Sequence, residues 1–141
     1  MMKKCRPLAA DGIVLDKGKI LLVKRGKEPF KGMWAFPAGH VEFNETVEEA
    51  VMREVKEETG ISVVPQLLVG VYSNPKRDPR QIVTIAYICF VKGRKRKPKG
   101  RDDAEEAKWF DVKEAMNMKL ASDHNMILKD AIALIQSLIR R

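Results

Sequence analysis

The alternation of apolar and polar positions predicts short strands through most of the chain. Residues 12–15 and 19–24 form two apolar runs that meet at Asp16-Lys17-Gly18, a turn sequence typical of a hairpin. The other predicted strands are a short one at 35–36, inside the loop 25–39, and longer ones at 62–72, 81–91 and 107–110. The turn-rich loop 73–80 separates the strands 62–72 and 81–91.

Two segments have helical periodicity instead. Residues 45–59 follow the possible cap Asn44 and end before Gly60, which suits a left-handed cap. Residues 123–140 follow Ser122 or Asp123 and bear an apolar stripe. Strands followed by one central and one closing helix predict a mixed α/β layered domain, and the length of 141 residues predicts a single domain over 1–141.

Composition narrows the class of protein. Hydrophobic residues make up 45% of the chain, and no run approaches the roughly 20 apolar residues that a membrane span needs. The apolar stretch after the basic start is too short for a signal peptide, so we expect a cytoplasmic protein without membrane contact. Cys89 lies in the apolar run 85–91 and is expected to be a small buried side chain, and we expect no disulfide with Cys5.

The net charge of +8 is unevenly distributed. Residues 92–101 contain seven basic side chains and no acidic one, and we expect them to form a mobile loop. Residues 42–58 contain seven glutamates against Arg53 and Lys56. An acidic segment within a basic chain is the first indication of a functional site.

Three of these glutamates share one face of the predicted helix. Glu54, Glu57 and Glu58 are spaced i, i+3 and i+4, so their carboxylates lie side by side, on the stripe that is apolar one or two turns earlier. Like charges at this spacing repel, and the C-terminal end of a helix disfavours anions. A divalent cation would remove both penalties, and oxygen ligands suit Mg²⁺. The alternative is a solvated acidic helix paired with the basic run.

The segment Gly39-His-Val-Glu-Phe-Asn-Glu45, then seven residues, then Arg53-Glu-Val-Lys-Glu-Glu-Thr-Gly-Ile61 resembles the signature of the Nudix hydrolases. All nine specified positions of that 23-residue frame are present with the family's spacing. The resemblance implies an α/β/α sandwich and an enzyme that hydrolyses a nucleoside diphosphate linked to another group, with Mg²⁺ as cofactor and Mn²⁺ as a possible substitute.

The resemblance also implies roles for individual residues. Glu54, Glu57 and Glu58 would be metal ligands, together with the backbone carbonyl near Ala38 or Gly39. Arg53 would orient the glutamates, and Glu45 would hold the loop–helix–loop in shape. Gly39 and Gly60 would stand where a Cβ interferes with the backbone.

A carboxylate must also take the proton of the attacking water. Glu57 is one candidate for this catalytic base. The other candidates are acids just before the last strand, namely Asp102, Asp103, Glu105 and Glu106. The sequence leaves this choice open.

Outside the signature the chain resembles the ADP-ribose pyrophosphatase branch of the family, which implies AMP and ribose 5-phosphate as products. The similar segments are 24–32, 34–37, 72–80 and 102–107, and Pro75 or Pro79 could be the proline associated with ADP-ribose. Two departures border the substrate: Ala38 precedes Gly39 where many members have a second glycine, and His40 replaces a common apolar residue. His40 is expected to be a loop residue.

The candidate substrate contacts each have a structural alternative. Arg25, Arg77 and Arg80 could bind phosphate or merely solvate loops. Trp34 could stack on adenine or fill the core, and for Phe36 the core is favoured. Gly39 would border the substrate.

Three rival functions remain. The chain could sanitise oxidised nucleoside triphosphates, or bind RNA through residues 92–101, although that run has no interleaved aromatics for base stacking. It could also be a metal-free nucleotide sensor, against which the complete carboxylate set argues. The expected partner is a small nucleotide, and family analogy suggests a homodimer.

Overall fold

The computed structural model describes residues 3–140, and their centre is a mixed sheet of seven strands. The strands are β1 (Leu8–Asp16), β2 (Lys19–Arg25), β3 (Trp34–Ala35), β4 (Ala38–His40), β5 (Val63–Tyr72), β6 (Val83–Val91) and β7 (Ala104–Asp111). The helices are α1 (Val47–Thr59), α2 (Val112–Asn117) and α3 (His124–Ile139).

Strand β1 organises the sheet because it has three partners. It runs parallel to β6 along one edge. Its other edge is divided: residues 9–11 pair with β4 and residues 14–16 pair with β2, both antiparallel. Strand β2 continues the sheet to β3 and β7, while β5 pairs with β6 and forms the opposite edge. The separation of β4 from β2 along β1 positions the cavity described below.

Helices cover both faces of the sheet. Strand β1 alternates its side chains between the two cores, as the period of two in a strand requires. Val14 packs in the core beneath α1 with Val51 and Val55, whereas Ile13 packs beneath α3 with Ile127. The predicted α/β/α sandwich is therefore confirmed.

The start of α1 differs from the expectation. Thr46, rather than Asn44, is the cap, and its hydroxyl accepts a hydrogen bond from the Glu49 N–H at 3.1 Å. The Glu49 carboxylate in turn accepts from the Thr46 N–H at 2.9 Å, which completes a capping box. Asn44 has a φ of 65° and forms part of the turn before the cap. Gly60 ends the helix with a φ of 77°, as predicted.

Three further expectations are corrected. The short strand lies at Trp34–Ala35, and the adjacent β4 and the short helix α2 were not predicted. Residues 92–101 form neither helix nor strand, yet their backbone is anchored: Lys99 N–H and Arg101 N–H donate to the carbonyl oxygens of Thr59 and Glu58, both at 3.0 Å. The run is therefore docked against the end of α1 because it satisfies carbonyls that the helix leaves free.

Two smaller expectations can also be compared with the fold. Cys89 is fully buried beneath α1, and burial raises the pKa of its thiol to about 12, so it is the small core residue that was expected. Among residues 3–140, no helix has both the length and the hydropathy for crossing a membrane.

Candidate functional site

The acidic end of α1 forms one wall of a cavity of about 770 Å³. Glu54, Glu57 and Glu58 all line it, as the i, i+3, i+4 spacing predicts. Their exposure differs, because Glu58 is buried whereas Glu57 is about half exposed. One face of α1 thus directs three carboxylates, which differ in their exposure to solvent, into the same cavity.

Arg53 connects this wall to the turn before the helix. Its Nε and Nη2 bind the two carboxylate oxygens of Glu45 at 2.7 and 3.0 Å, a fork geometry suited to guanidinium. Its Nη1 reaches Glu54 at 2.6 Å and Glu57 at 3.2 Å, and Nη2 also donates to the His40 carbonyl. The hydrogen bonds from Arg53 hold the pKa of Glu45 below its ordinary value. Arg53 therefore fixes two of the three glutamates relative to β4.

Glu58 is held from the opposite side. Its Oε1 accepts a hydrogen bond from the Ala38 N–H at 2.8 Å. Burial, opposed by this hydrogen bond, raises the pKa of Glu58 to about 8. Burial also raises the pKa of Glu54. Two acids whose pKa values are raised by desolvation are suited to a cation, because it would stabilise their charged form.

Gly39 permits the approach of Glu54 to β4. A Cβ built at Gly39 would lie 2.1 Å from Glu54 Cδ and 2.3 Å from each carboxylate oxygen. Any side chain there would expel Glu54 from its position. Glycine is therefore required at position 39 because the Glu54 carboxylate occupies the space of a Cβ, and not because of its backbone φ.

Basic side chains line another part of the cavity. Arg25 donates from Nε to the Pro29 carbonyl at 2.7 Å, and burial together with the charge of Arg80 lowers the pKa of Arg25. Arg80 forks onto Asp78 at 3.0 and 2.8 Å. Arg77 is engaged with Asp123 through Nε and Nη2 and with the Ile82 carbonyl through Nη1. Arg25 and Arg80 retain donors for an anion, whereas Arg77 has a largely structural set of contacts.

The cavity does not collect every predicted residue. Trp34 lies outside its lining and packs edge-on against Phe110, with ring centroids 4.8 Å apart. Phe36 is in the core, as favoured, and also reaches the lining. Glu105 and Glu106 are exposed on β7 away from the lining, whereas Asp102 and Asp103 line the cavity. No residue of 92–101 contributes to the lining.

Four buried polar residues of the lining were not singled out by the sequence analysis, namely Asp11, Asp78, Thr84 and His124. Each is at least nine-tenths buried. Asp11 offered a signal, because it is a lone acid between apolar residues of a strand. His124 offered none, because its neighbours in the cavity come from distant parts of the chain.

The residues fit a divalent cation in chemistry, although they are not assembled around one. Within residues 3–140, no three acidic, histidine or cysteine side chains converge as a ligand cluster. Oxygens of Glu54 and Glu58 accept hydrogen bonds from Arg53 and from the Ala38 N–H instead. The donor set is nonetheless all oxygen, as Mg²⁺ prefers, and Gly39 leaves room for the Glu54 carboxylate.

Both the sequence and the fold of this chain are similar to those of known proteins. Residues 6–131 match the model of the NUDIX domain. An ADP-ribose pyrophosphatase of Methanocaldococcus jannaschii is 51% identical over 124 residues, which cover 87% of this chain and 71% of that protein.

Two solved structures have the same fold. A MutT/nudix family protein from Enterococcus faecalis superposes with a TM-score of 0.82 at 30% identity, covering 97% of this chain and 64% of that one. The NUDIX domain of NrtR from Shewanella oneidensis, crystallised with ADP-ribose, gives a TM-score of 0.81 at 26% identity, covering 94% and 90%.

Proposed function

Since this chain belongs to the Nudix family, in which the signature acids serve the hydrolysis of nucleoside diphosphate derivatives, we propose that its substrate is ADP-ribose. Water would cleave the diphosphate bond to give AMP and ribose 5-phosphate. The similarity to a pyrophosphatase named for ADP-ribose over 87% of this chain supports this choice. The similarity to a domain crystallised with ADP-ribose adds to it.

One observation in the structure carries the proposal. Glu54, Glu57 and Glu58 line the same cavity as Arg25 and Arg80. A diphosphate needs a cation at its reacting oxygens and donors along its other oxygens, and this cavity offers ligands for the first and guanidinium groups for the second. If the acidic helix were merely solvated, its carboxylates would not share an enclosed cavity with guanidinium groups.

The cofactor is proposed to be Mg²⁺, with Mn²⁺ as a substitute, held by Glu54, Glu57, Glu58 and the carbonyl of Ala38. When bound, the cation would neutralise the diphosphate and lower the pKa of an attacking water. Arg53 would keep Glu54 and Glu57 in position through the hydrogen bonds described above. Arg25 and Arg80 would bind diphosphate oxygens and so align the phosphorus atom for attack.

Glu57 is the proposed catalytic base. It lines the cavity and is half exposed, so a water molecule can reach it. Glu105 was a candidate from the sequence, but it lies on β7 outside the lining. Asp102 and Asp103 also line the cavity, but Glu57 shares the helix face of Glu54 and Glu58 and so lies beside the proposed cation.

The test is a product-resolved assay of the purified protein with ADP-ribose and, in parallel, 8-oxo-dGTP, each with Mg²⁺ or with EDTA. We expect AMP and ribose 5-phosphate in equal amounts, dependence on the cation, and a lower kcat/KM for 8-oxo-dGTP. Glu57→Gln should lower kcat by roughly 100-fold or more. Glu114→Gln, an exposed acid of α2, is the matched control and should have normal activity. A preference for 8-oxo-dGTP would refute the proposed substrate.

We further propose that the protein forms a homodimer through the edge of the sheet at β5. This strand is ten residues long, and Leu68 and Val71 on it are 52% and 58% exposed. Among residues 3–140, β5 pairs only with β6, and the free backbone groups of such an edge strand are a template for pairing with a second chain. Analytical ultracentrifugation should give twice the chain mass for the wild type and the monomer mass for Leu68→Lys. A monomeric wild type would refute the proposal.

A further inference from the structure

Asp11 is the least explained polar residue of the cavity. It lies on β1, is 2% exposed and contributes to the lining. Its Oδ2 is buried, and within residues 3–140 no group donates a hydrogen bond to it. A buried carboxylate oxygen without a hydrogen-bond donor is costly. A ligand that donates a hydrogen bond to Asp11 Oδ2 would remove this cost.

The neighbouring His124 satisfies Asp11 only poorly. Its Nε2 lies 3.3 Å from Asp11 Oδ2, without hydrogen-bond alignment. Its Nδ1 accepts a hydrogen bond from the Phe36 N–H at 3.2 Å, so a neutral ring has its proton on Nε2. The ring also stacks on Phe36 at a centroid distance of 4.4 Å, which prevents it from turning. His124 therefore lies against one side of the Asp11 carboxylate, and Asp11 Oδ2 can still accept a hydrogen bond.

The surroundings limit what kind of donor could approach. Ala9, Phe36, Ile82 and Ala121 give part of the same cavity an apolar surface. Among its polar side chains, Arg77 is already paired with Asp123, and Arg80 with Asp78. Thr84 sits beside Ala9 in the register of β1 with β6 and is 3% exposed. A sugar, with several hydroxyl groups, would need several unpaired polar partners, whereas Asp11 Oδ2 is the one buried side-chain atom without a partner among the described residues. A flat heteroaromatic ring with one amino group matches apolar walls and a single strong acceptor.

We propose that Asp11 accepts a hydrogen bond from the exocyclic amino group of the substrate's nucleobase and thereby selects an aminopurine over its oxo counterpart. This inference rests on the proposed function for the identity of the substrate, and it assigns a role to a residue outside α1. An oxo group at the same position would place its lone pairs against the carboxylate and would repel it. Asp11 would then determine base specificity without touching the reacting phosphorus.

The experiment compares two pairs of compounds in which the 6-amino group is replaced by an oxo group, a change that also places a proton on N1. The kcat/KM of the wild type for ADP-ribose should exceed that for inosine diphosphate ribose by roughly 10- to 100-fold, mainly through KM. Calorimetric titration of the protein with AMP and with IMP should show the same preference without any turnover.

Asp11→Asn tests the assignment of the acceptor, because an amide can donate to an oxo group as well as accept from an amino group. We expect the preference to shrink to a few-fold. Asp78→Asn is the matched control, since Asp78 is also buried in the lining but already binds Arg80, and it should retain the preference.

The outcomes separate the two proposals. Equal use of both substrates by the wild type, or an equal loss on both in Asp11→Asn, would overturn the role of Asp11, and neither result requires the variant to be as stable as the wild type. Discrimination of AMP from IMP in a protein that does not hydrolyse ADP-ribose would instead refute the proposed substrate and leave the role of Asp11 standing.

Discussion

Arg53 donates hydrogen bonds to both carboxylate oxygens of Glu45, which precedes it by eight residues, with N–O distances of 2.7 and 3.0 Å. This fork joins the loop before α1 to the helix turn that bears the acids. The two side chains are only 23% and 12% exposed, so solvent screens their attraction far less than it screens a surface pair.

A double-mutant cycle should therefore give a large coupling for this pair. With Arg53→Lys and Glu45→Gln we expect an interaction free energy of about 1.5–3 kcal/mol in urea unfolding. The pair of Lys19 and Asp111, also about 3 Å apart but more than half exposed, is the control and should give at most about 1 kcal/mol. Equal coupling in the two cycles would contradict the structural role of the fork.

Glu58 predicts an unusual pH dependence of stability in the cation-free protein. Its pKa is about 8 in the folded state against 4.5 as the ordinary value, so the folded state binds the proton more tightly. The free energy of unfolding should then fall as the pH rises from 4.5 to 8, by about 1–4 kcal/mol. Below pH 4.5 this residue should contribute no slope.

Urea unfolding in EDTA at several pH values measures this effect. Glu58→Gln should flatten the decline, whereas Glu106→Gln, exposed on β7, should leave it unchanged. Saturating Mg²⁺ should also oppose the decline, because a bound cation stabilises the ionised carboxylate. An identical slope in Glu58→Gln and the wild type would show that other groups cause it.

Gly39→Ala should damage the site with little effect elsewhere. The new methyl group would collide with the Glu54 carboxylate, so we expect kcat to fall by roughly 100-fold and the affinity for Mg²⁺ to weaken. Gly70→Ala is a suitable control because its Cβ would meet its nearest neighbour at an ordinary 3.5 Å. Normal turnover in Gly39→Ala would mean that Glu54 need not occupy its present position.

Trp34→Leu should separate a core role from a stacking role. Because the indole packs on Phe110 outside the cavity, we expect a loss of about 1–3 kcal/mol in the free energy of unfolding and an unchanged KM for ADP-ribose. A rise in KM of tenfold or more with unchanged stability would restore Trp34 as a substrate contact. Steady-state kinetics and thermal unfolding of the same preparation provide both values.

The parts of the fold that depend on local pattern could be predicted from the sequence. The acidic face of α1 follows from helical spacing alone, and the end at Gly60 follows from the need for a left-handed cap. The start of the helix was misplaced by two residues because Asn44 and Thr46 are both good caps. Only the reciprocal bonds between Thr46 and Glu49 decide between them.

The missed features depend on contacts between distant residues. Asp11 and His124 are 113 positions apart, and only the packing of α3 against β1 brings their side chains together. Trp34 was ambiguous because a Gly- and Pro-rich loop gives no period from which to infer the direction of a side chain. The basic run was read as mobile because charge and proline suggest solvation, whereas its backbone bonds to α1 leave no trace in composition.

Those backbone bonds change what the basic run means for engineering the protein. A surface segment of this composition would ordinarily be chosen for inserting a tag, or expected to be cut first by trypsin. Here Arg101 bonds to the carbonyl of Glu58 itself, so a nick or an insertion near that point would loosen the last turn of α1. We therefore expect residues 97–101 to resist limited trypsin digestion for as long as the last turn of α1, which bears Glu57 and Glu58, stays intact.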